Sequence, residues 1–357
     1  MNKKKLLKVV MLGPGLNVMG GISSVEKLIL EQGVAEANLK HIATLQDVST
    51  IQKILVFAKA IYNFIKTLLQ EKIDIIHIHF ASKGSTLRTV ILITISLLFR
   101  KPVVLHSHGA GFHIFYANLP SWIKQIINYL FSKCSRLIVL SNSWKEFYVT
   151  NLGLVENKIV VLPNPVKLPS PIKHTKDSNT IKFLFLGRIG KRKGTFELIK
   201  AFAEIPTQHR DRASLTLAGD GEAKQARKLV EALGLTDRIT ILDWVNSQER
   251  DVLLTESDVF VLPSHNEGLP MAMIEAMSFG LSVITTPVGG IPELISHENN
   301  GLLIEPGNIQ QLSCAMQSLI ENEEIRNSLA IEAEQSVASL DIQKHCLSLK
   351  SVYQELV

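Results

Sequence analysis

Two parallel, doubly wound α/β sheets are predicted from three features of the sequence. The chain has 357 residues, too many for one ordinary hydrophobic core and suited to two domains of common size. Short apolar, β-branched runs alternate with helix-forming segments in both halves, which is the signature of repeated strand–helix units. Between the halves lies PNPVKLPSPIKHTKDSNT (163–180), rich in proline and polar residues and without strand or helix period, as an interdomain linker requires. The expected division is a first domain over 1–165, a linker over 166–180 and a second domain over 181–339.

In MNKKKLLKVVMLGPG a basic start precedes apolar residues, which raises a signal peptide. The apolar part, LLKVVML, is interrupted by Lys8 and runs into a glycine-rich loop, so it is read as a first buried strand over 6–12. GPGLNVMGGIS (13–23) then turns into a helix expected from Ser24, where Gly20 and Gly21 let backbone approach a ligand closely. The spacing of Gly13, Gly15, Gly20 and Gly21 does not match G-x-G-x-x-G, which disfavours a dinucleotide-binding dehydrogenase. Residues 50–72 carry apolar residues at helical intervals with Lys53, Lys59 and Lys66, and are read as a core-facing helix with a wet side.

DIIHIHF (74–80) is a strand with alternating histidines, and PVVLHSHGAG (102–111) is a strand running into a loop. His106 and His108 fall at the carboxyl end of the latter and point to one side, where open α/β sheets bind ligands. His108, beside Gly109, is taken as functional, whereas His77, His79 and His113 are read as structural. Metal ligation is set aside because no matched Asp/Glu cluster accompanies these histidines. RLIVLSN (136–142) and KIVVLPNPV (158–166) supply the remaining strands of the first half.

The second half restarts the alternation with IKFLFLGRIGKRKG (181–194), a strand followed by a basic loop bounded by Gly187 and Gly194, before a helix over 195–204. A cationic loop after a buried strand suits clamping a diphosphate. Arg188 and Lys193 are chosen for that role, and Lys191 and Arg192 are read as solvated. SLTLAGDGE, ITILDWV, VFVLPS and SVITTP continue as strands, and IQKHCLSLKSVYQEL (342–356) reads as an amphipathic helix.

The densest stretch is PSHNEGLPMAMIEAMSFG (263–280), read as strand end, sharp loop and helix, with Pro270 in the first helical turn and Glu275 about two turns in. Eight residues of helix rise roughly 12 Å and rotate past two turns, so Glu267 and Glu275 would not share a helical face. They make sense together if Glu267 sits in the loop and both touch different parts of one long ligand. The amides of Gly268, Leu269, Met271 and Ala272 then offer a helix N-terminus to a phosphate. Glu275, inside the apolar MAMIEAM, needs a partner.

The net charge is +5, with the first half basic and the second acidic. A basic first half suggests an anionic lipid or acceptor, and peripheral contact with an anionic membrane. Nucleic acid is disfavoured, since no aromatic-rich basic motif accompanies the charge. The longest uncharged apolar run, Thr89–Phe99, is too short to span a bilayer. Three scattered cysteines, Cys134, Cys314 and Cys346, point to a reducing, cytoplasmic compartment.

Together these residues resemble the retaining glycosyltransferases of the GT-B superfamily, family 4, in its bacterial polysaccharide and lipopolysaccharide members. The most specific part is Glu267-G-L-P-M-A-M-I-Glu275-A-M-x-x-Gly280, followed by TTPVGGIPELI and NGLLIEPGN. GGIS, the His108–Gly109 pair, LPNPV, GRIGKRKG and AGDG support it. The sequence departs from the pattern in a proline within LPNPV and in the second histidine of HSHG.

The resemblance implies two Rossmann-like domains facing a cleft, an acceptor-side domain first and a donor-binding domain second, with a C-terminal helix over 340–357 packing back on the first. It implies that Arg188 and Lys193 hold the donor diphosphate, Glu267 contacts the donor sugar, and Gly268, Leu269, Pro270 and Met271 contact sugar and phosphate through backbone. Glu275 would take the ribose hydroxyls, His108 the donor sugar, and Gly20 and Gly21 the phosphates and acceptor. The implied partners are a UDP- or GDP-sugar donor and a glycan acceptor, expected to be lipid-linked. Two cations with helix-end amides can stabilise a leaving diphosphate without metal, and no Asp-x-Asp pair is present, so neither metal nor cofactor is expected. A nucleotide-sugar epimerase of the same architecture and a non-catalytic partner subunit are the competing readings. Conversion of the donor without acceptor would mark the epimerase.

Overall fold

The computed structural model describes residues 6–169 and 180–357. The chain divides into two units, one comprising Met1–Pro165 with Leu340–Val357 and the other Val166–Ser339. The basic start of the chain at 1–5 and most of the expected linker, 170–179, lie outside the described residues.

The first unit begins with β1 (Leu7–Pro14), α1 (Gly21–Gln32), β2 (Ala37–Leu45), α2 (Thr50–Gln70), β3 (Ile75–Phe80) and α3 (Gly84–Leu98). It continues with β4 (Val103–Ser107), α4 (Phe112–Ala117), α5 (Ser121–Lys133), β5 (Arg136–Val139), α6 (Asn142–Leu152) and β6 (Ile159–Val161). The six strands are parallel in the order β2-β1-β3-β4-β5-β6. All of Ile75–Phe80 and Val103–Ser107 are buried, as continuous runs covered on both sheet faces should be. The edge strand β2, ANLKHIATL, is only partly buried and carries Asn38, Lys40 and His41. It has no apolar run, so nothing in its composition announced it.

Two boundaries differ from the sequence expectation. The first helix starts at Gly21, three residues before Ser24, because Ser24 already donates to the Gly20 carbonyl. The segment 109–120, expected as loop, contains α4, which begins after left-handed Gly111 and buries Phe112 and Tyr116.

The second unit comprises β7 (Ile181–Leu186), α7 (Thr195–Glu204), α8 (Thr207–Arg210), β8 (Ala213–Ala218), α9 (Ala223–Ala232), β9 (Ile239–Leu242) and α10 (Ser247–Glu256). Then come β10 (Val259–Leu262), α11 (Met271–Ser278), β11 (Ser282–Thr285), β12 (Leu302–Leu303), α12 (Ile309–Glu321) and α13 (Glu323–Val337). The parallel order is β12-β11-β10-β7-β8-β9. Counted from β7, this is the doubly wound order 3-2-1-4-5-6, whose direction reverses between β7 and β10. The core is carried by Phe183, Phe185, Leu215, Leu217, Phe260, Ile274 and Ile284, all essentially inaccessible.

Helix α11 is shorter and later than expected. Pro270 is its N-cap and not a residue of its first turn, and Glu275 is its fifth residue, just over one turn in. The last helix, α14 (Ile342–Gln354), belongs to the first unit and packs against α1. It buries His345, Cys346, Leu349, Val352 and Tyr353, and Lys350 and Gln354 both reach Glu36. No helix among the described residues is long and apolar enough to cross a membrane.

Candidate active site

In an open α/β sheet the crevice forms where neighbouring strands lead their connections to opposite faces, outside the carboxyl ends. In the second unit that place lies between β7 and β10, and the loops leaving these strands are 187–194 and 263–270. Lys193 and Glu267 meet there, with Nζ 2.6 Å from Oε1 and side chains 14% and 7% exposed. Ser264 Oγ donates to the same carboxylate oxygen at 2.7 Å. The shielded carboxylate is thus both neutralised and hydrogen-bonded, which burial demands.

The basic loop does more than its sequence reading allowed. Arg192, expected to be solvated, donates from Nη1 to the Asn266 carbonyl at 2.9 Å and lies 3.7 Å from Glu267 Oε1. Its own carbonyl accepts from His265 N at 2.9 Å, so Arg192 ties the two loops together. Lys191 is exposed. Arg188 stands apart from the Lys193–Glu267 pair, with its side chain 70% exposed and Nη2 3.3 Å from Asp220 Oδ2.

Two glycines permit this packing. Gly194 (φ 68°) and Gly289 (φ 60°) occupy left-handed backbone, and a β-carbon at either would collide with the carbonyl of Pro263 or of Glu267. Gly290 N donates to the Gly268 carbonyl at 2.6 Å and Thr286 Oγ1 to the Ser264 carbonyl at 2.6 Å. Ser264 and Gly268 are therefore held from behind, and Leu269, Pro270 and Met271 are buried. Pro270 brings no side-chain cap to α11.

Glu275 is buried among the apolar residues of α11, and Arg250 Nη1 donates to its Oε1 at 2.7 Å. Arg250 is in turn held by Asp251 at 2.8 and 3.0 Å. Burial pushes the Glu275 carboxyl up to about 7; Arg250 opposes the shift and Asp251 reinforces it.

The first unit changes direction between β1 and β3. Gly20 lies in the loop after β1 at φ 149°, where a side chain is disfavoured, yet a β-carbon there would meet nothing within 4 Å. The backbone at this turn is open to approach, and Gly21 opens α1 directly behind it. Glu26 of α1 is fully buried, its carboxyl pushed up by burial, with His41 Nε2 3.5 Å from Oε2. Gly13 makes room for that carboxylate, since a β-carbon would collide with Oε1.

His108 lies within a group of buried histidines, its Nε2 2.9 Å from His79 Nδ1 and its ring stacked on His106 at 4.1 Å. Burial lowers it to about 3, with Asn164 opposing and His345 adding to the shift, so the imidazole is neutral near pH 7.

Two family models match the chain, Glycosyltransferase Family 4 over residues 33–168 and Glycosyl transferases group 1 over residues 168–336. The chain belongs to the family 4, group 1 glycosyltransferases. Among the relatives of this glycosyltransferase is the Escherichia coli UDP-Gal:alpha-D-GlcNAc-diphosphoundecaprenol alpha-1,3-galactosyltransferase. The two are 28% identical over 316 residues, covering 84% of this chain and 80% of that one. Its fold matches sucrose-phosphate synthase of Thermosynechococcus elongatus with a TM-score of 0.84 at 19% identity, over 98% of this chain and 99% of the other. It also matches Anabaena Alr3699/HepE, solved in complex with UDP, with a TM-score of 0.78 at 19% identity, over 98% and 100% of the two chains. The architecture is GT-B.

Within the second unit of the glycosyltransferase, the structure joins Lys193 with Glu267, places Gly268–Pro270 in the following loop and cap and Met271 at the first position of α11, and keeps Arg188 on a neighbouring ion pair. Gly20, Gly21 and His108 belong to the first unit. Sequence reasoning missed Arg250, Arg192, Ser264 and Glu26. Only Arg250 had a signal, namely the cation that a carboxylate inside MAMIEAM requires.

Proposed function

We propose that this glycosyltransferase moves a sugar from a UDP-sugar to a glycan acceptor on a lipid diphosphate, with retention of configuration and no catalytic metal. The observation that carries the proposal is the shielded Lys193–Glu267–Ser264 group at the direction change of the second sheet, immediately before the uncapped start of α11. The uridine donor and the lipid-linked acceptor are supported by the activity for which the Escherichia coli relative is named.

Transfer requires stabilising charge that builds on the departing diphosphate. Lys193 supplies a fixed cation beside that charge, and exposed Arg188 can leave Asp220 to supply a second. Held by Lys193 and Ser264, Glu267 presents its carboxylate to the donor sugar, while the 268–271 backbone takes sugar and phosphate. Glu275, fixed by Arg250, takes the ribose hydroxyls.

A thermal-shift screen with UDP, GDP and ADP tests the nucleotide; stabilisation by UDP alone is expected, and no response to any of the three overturns the donor reading. Lys193→Ala should lower turnover about 10²–10³-fold, the cost of removing one charge-stabilising donor. Unchanged transfer by Lys193→Ala and Glu267→Ala would remove the site from this cluster. Transfer should proceed without added divalent cation and not rise with Mg²⁺ or Mn²⁺. NMR of the product's anomeric configuration decides retention.

Peripheral membrane contact is the second part of the proposal. Read from sequence as core-facing, α2 buries only Ala60, Phe64, Thr67 and Leu68. Ile51, Ile54, Leu55, Tyr62 and Leu69 are exposed on it beside Lys59 and Lys66. Apolar residues mixed with lysines on one helix suit an anionic lipid surface.

A further inference from the structure

The first sheet carries a polar core that the proposed transfer does not explain. β3 and β4 pair with His79 opposite His106, and the strand period of two puts His77 and His108 on the same face. α14 covers this face, bringing Tyr353 to His77 and His345 to His106. Ring centroids are 4.3 Å apart for His77–His79, 4.8 Å for His79–His106 and 5.5 Å for His77–His106. His77 and His106 are wholly inaccessible and His79 is 3% exposed.

Each of these three rings has ring nitrogens without a hydrogen-bond partner: Nε2 of His77, Nε2 of His79 and both nitrogens of His106. An unsatisfied buried polar atom costs about 1–3 kcal/mol, so the four oppose folding together, and a cation taking one nitrogen from each ring would engage three of them. The nitrogens that are engaged complete the pattern. His77 Nδ1 lies 2.7 Å from Tyr353 Oη, and His79 Nδ1 lies 2.9 Å from His108 Nε2. An imidazole whose Nδ1 is fixed by a neighbour presents Nε2 in a defined direction, as metal-bound histidines are held.

We infer that His77, His79 and His106 form a binding site for a divalent transition cation of zinc type, with three protein ligands and the fourth position open. One nitrogen from each ring already lies within 4.8 Å of the others. Bonds of about 2.0–2.1 Å in tetrahedral geometry require nitrogens roughly 3.3 Å apart. Closing that gap calls for rotation about the χ2 torsions, chiefly of His106, whose ring nitrogens have no hydrogen-bond partner to hold them. Three neutral imidazoles suit zinc and cobalt better than magnesium or calcium, which prefer oxygen. His106, the first histidine of HSHG, supplies the third ligand. The cation would stabilise the first unit, and His108 borders the site through His79 without being one of its ligands.

The test uses the full chain without a histidine tag, expressed with added zinc or with added cobalt and purified without chelator. One equivalent of metal per chain is expected by elemental analysis, together with visible absorption of tetrahedral cobalt in the cobalt form. His106→Ala should lose both signals. Tyr353→Phe keeps all three ligands and removes only the contact to His77, so it should retain metal with about 10–100-fold weaker affinity in competition with a chromophoric chelator. If His106→Ala does not fold, His79→Gln takes its place. Folded wild-type protein with only traces of metal and no cobalt spectrum overturns the inference, as does undiminished metal in the folded His106→Ala and His79→Gln variants.

Discussion

Glu267 and Glu275 are both buried carboxylates, and each is made tolerable by a cation from another element. Lys193 sits against Glu267, whereas Glu275 answers to Arg250 and is still pushed up to about 7. The sign follows from linkage. A carboxyl with its folded-state value above its unfolded one stabilises the fold at low pH, and that contribution is lost as pH rises from about 4.5 to about 7. Glu275→Gln removes the titration, so the wild type should lose up to about 3 kcal/mol relative to the variant across that window. Paired melting curves between pH 4.5 and 8 check this, and parallel curves would sink it. The need for a cation at Glu275 was legible in MAMIEAM, but its source was not. Arg250 lies in a different helix, and only tertiary packing joins the two. The Lys193–Glu267 contact likewise spans two loops that no spacing rule connects.

At the scale of elements, the loops after β7 and β10 are shaped by glycines that press backbone against backbone. Gly194→Ala and Gly289→Ala should each combine left-handed strain, about 1–2 kcal/mol, with a collision against a carbonyl of the site loop. Gly153 provides the control, since it has φ 66° with nothing within 4 Å of a β-carbon. Gly153→Ala should show strain alone. A Gly194→Ala protein that melts no lower than Gly153→Ala and binds nucleotide equally well would separate the loop from the donor site. The buried strands were readable because helices cover both their faces and leave continuous apolar runs. β2 was not, because an edge strand needs no such run, and α4 was hidden because it is one short helix behind a glycine. The starts of α1 and α11 shifted by one to three residues, where caps and backbone contacts outweigh composition.

For the whole molecule, a basic first half and an apolar, lysine-bearing α2 give one prediction. Wild-type chain should sediment with vesicles containing anionic lipid and release as salt rises, because surface charges are screened within about 10 Å at 0.1 M. Ile54→Glu with Leu55→Glu should reduce vesicle binding severalfold while leaving the melting temperature within a few degrees, since both side chains are exposed. Equal sedimentation of wild type and variant would remove α2 from the contact. The doubly wound plan was legible from the alternation of runs, but the exposure of α2 was not, since helical periodicity shows a stripe without saying what covers it. The return of α14 to the first unit also sets an order of events during synthesis. Residues up to Pro165 leave the ribosome first, yet the helix that places Tyr353 against His77 and Lys350 against Glu36 emerges only after the entire second unit. The second unit can therefore close while the first still waits with its histidine face uncovered. A released chain ending at Asp341 should resist protease in its second unit and be cut in its first.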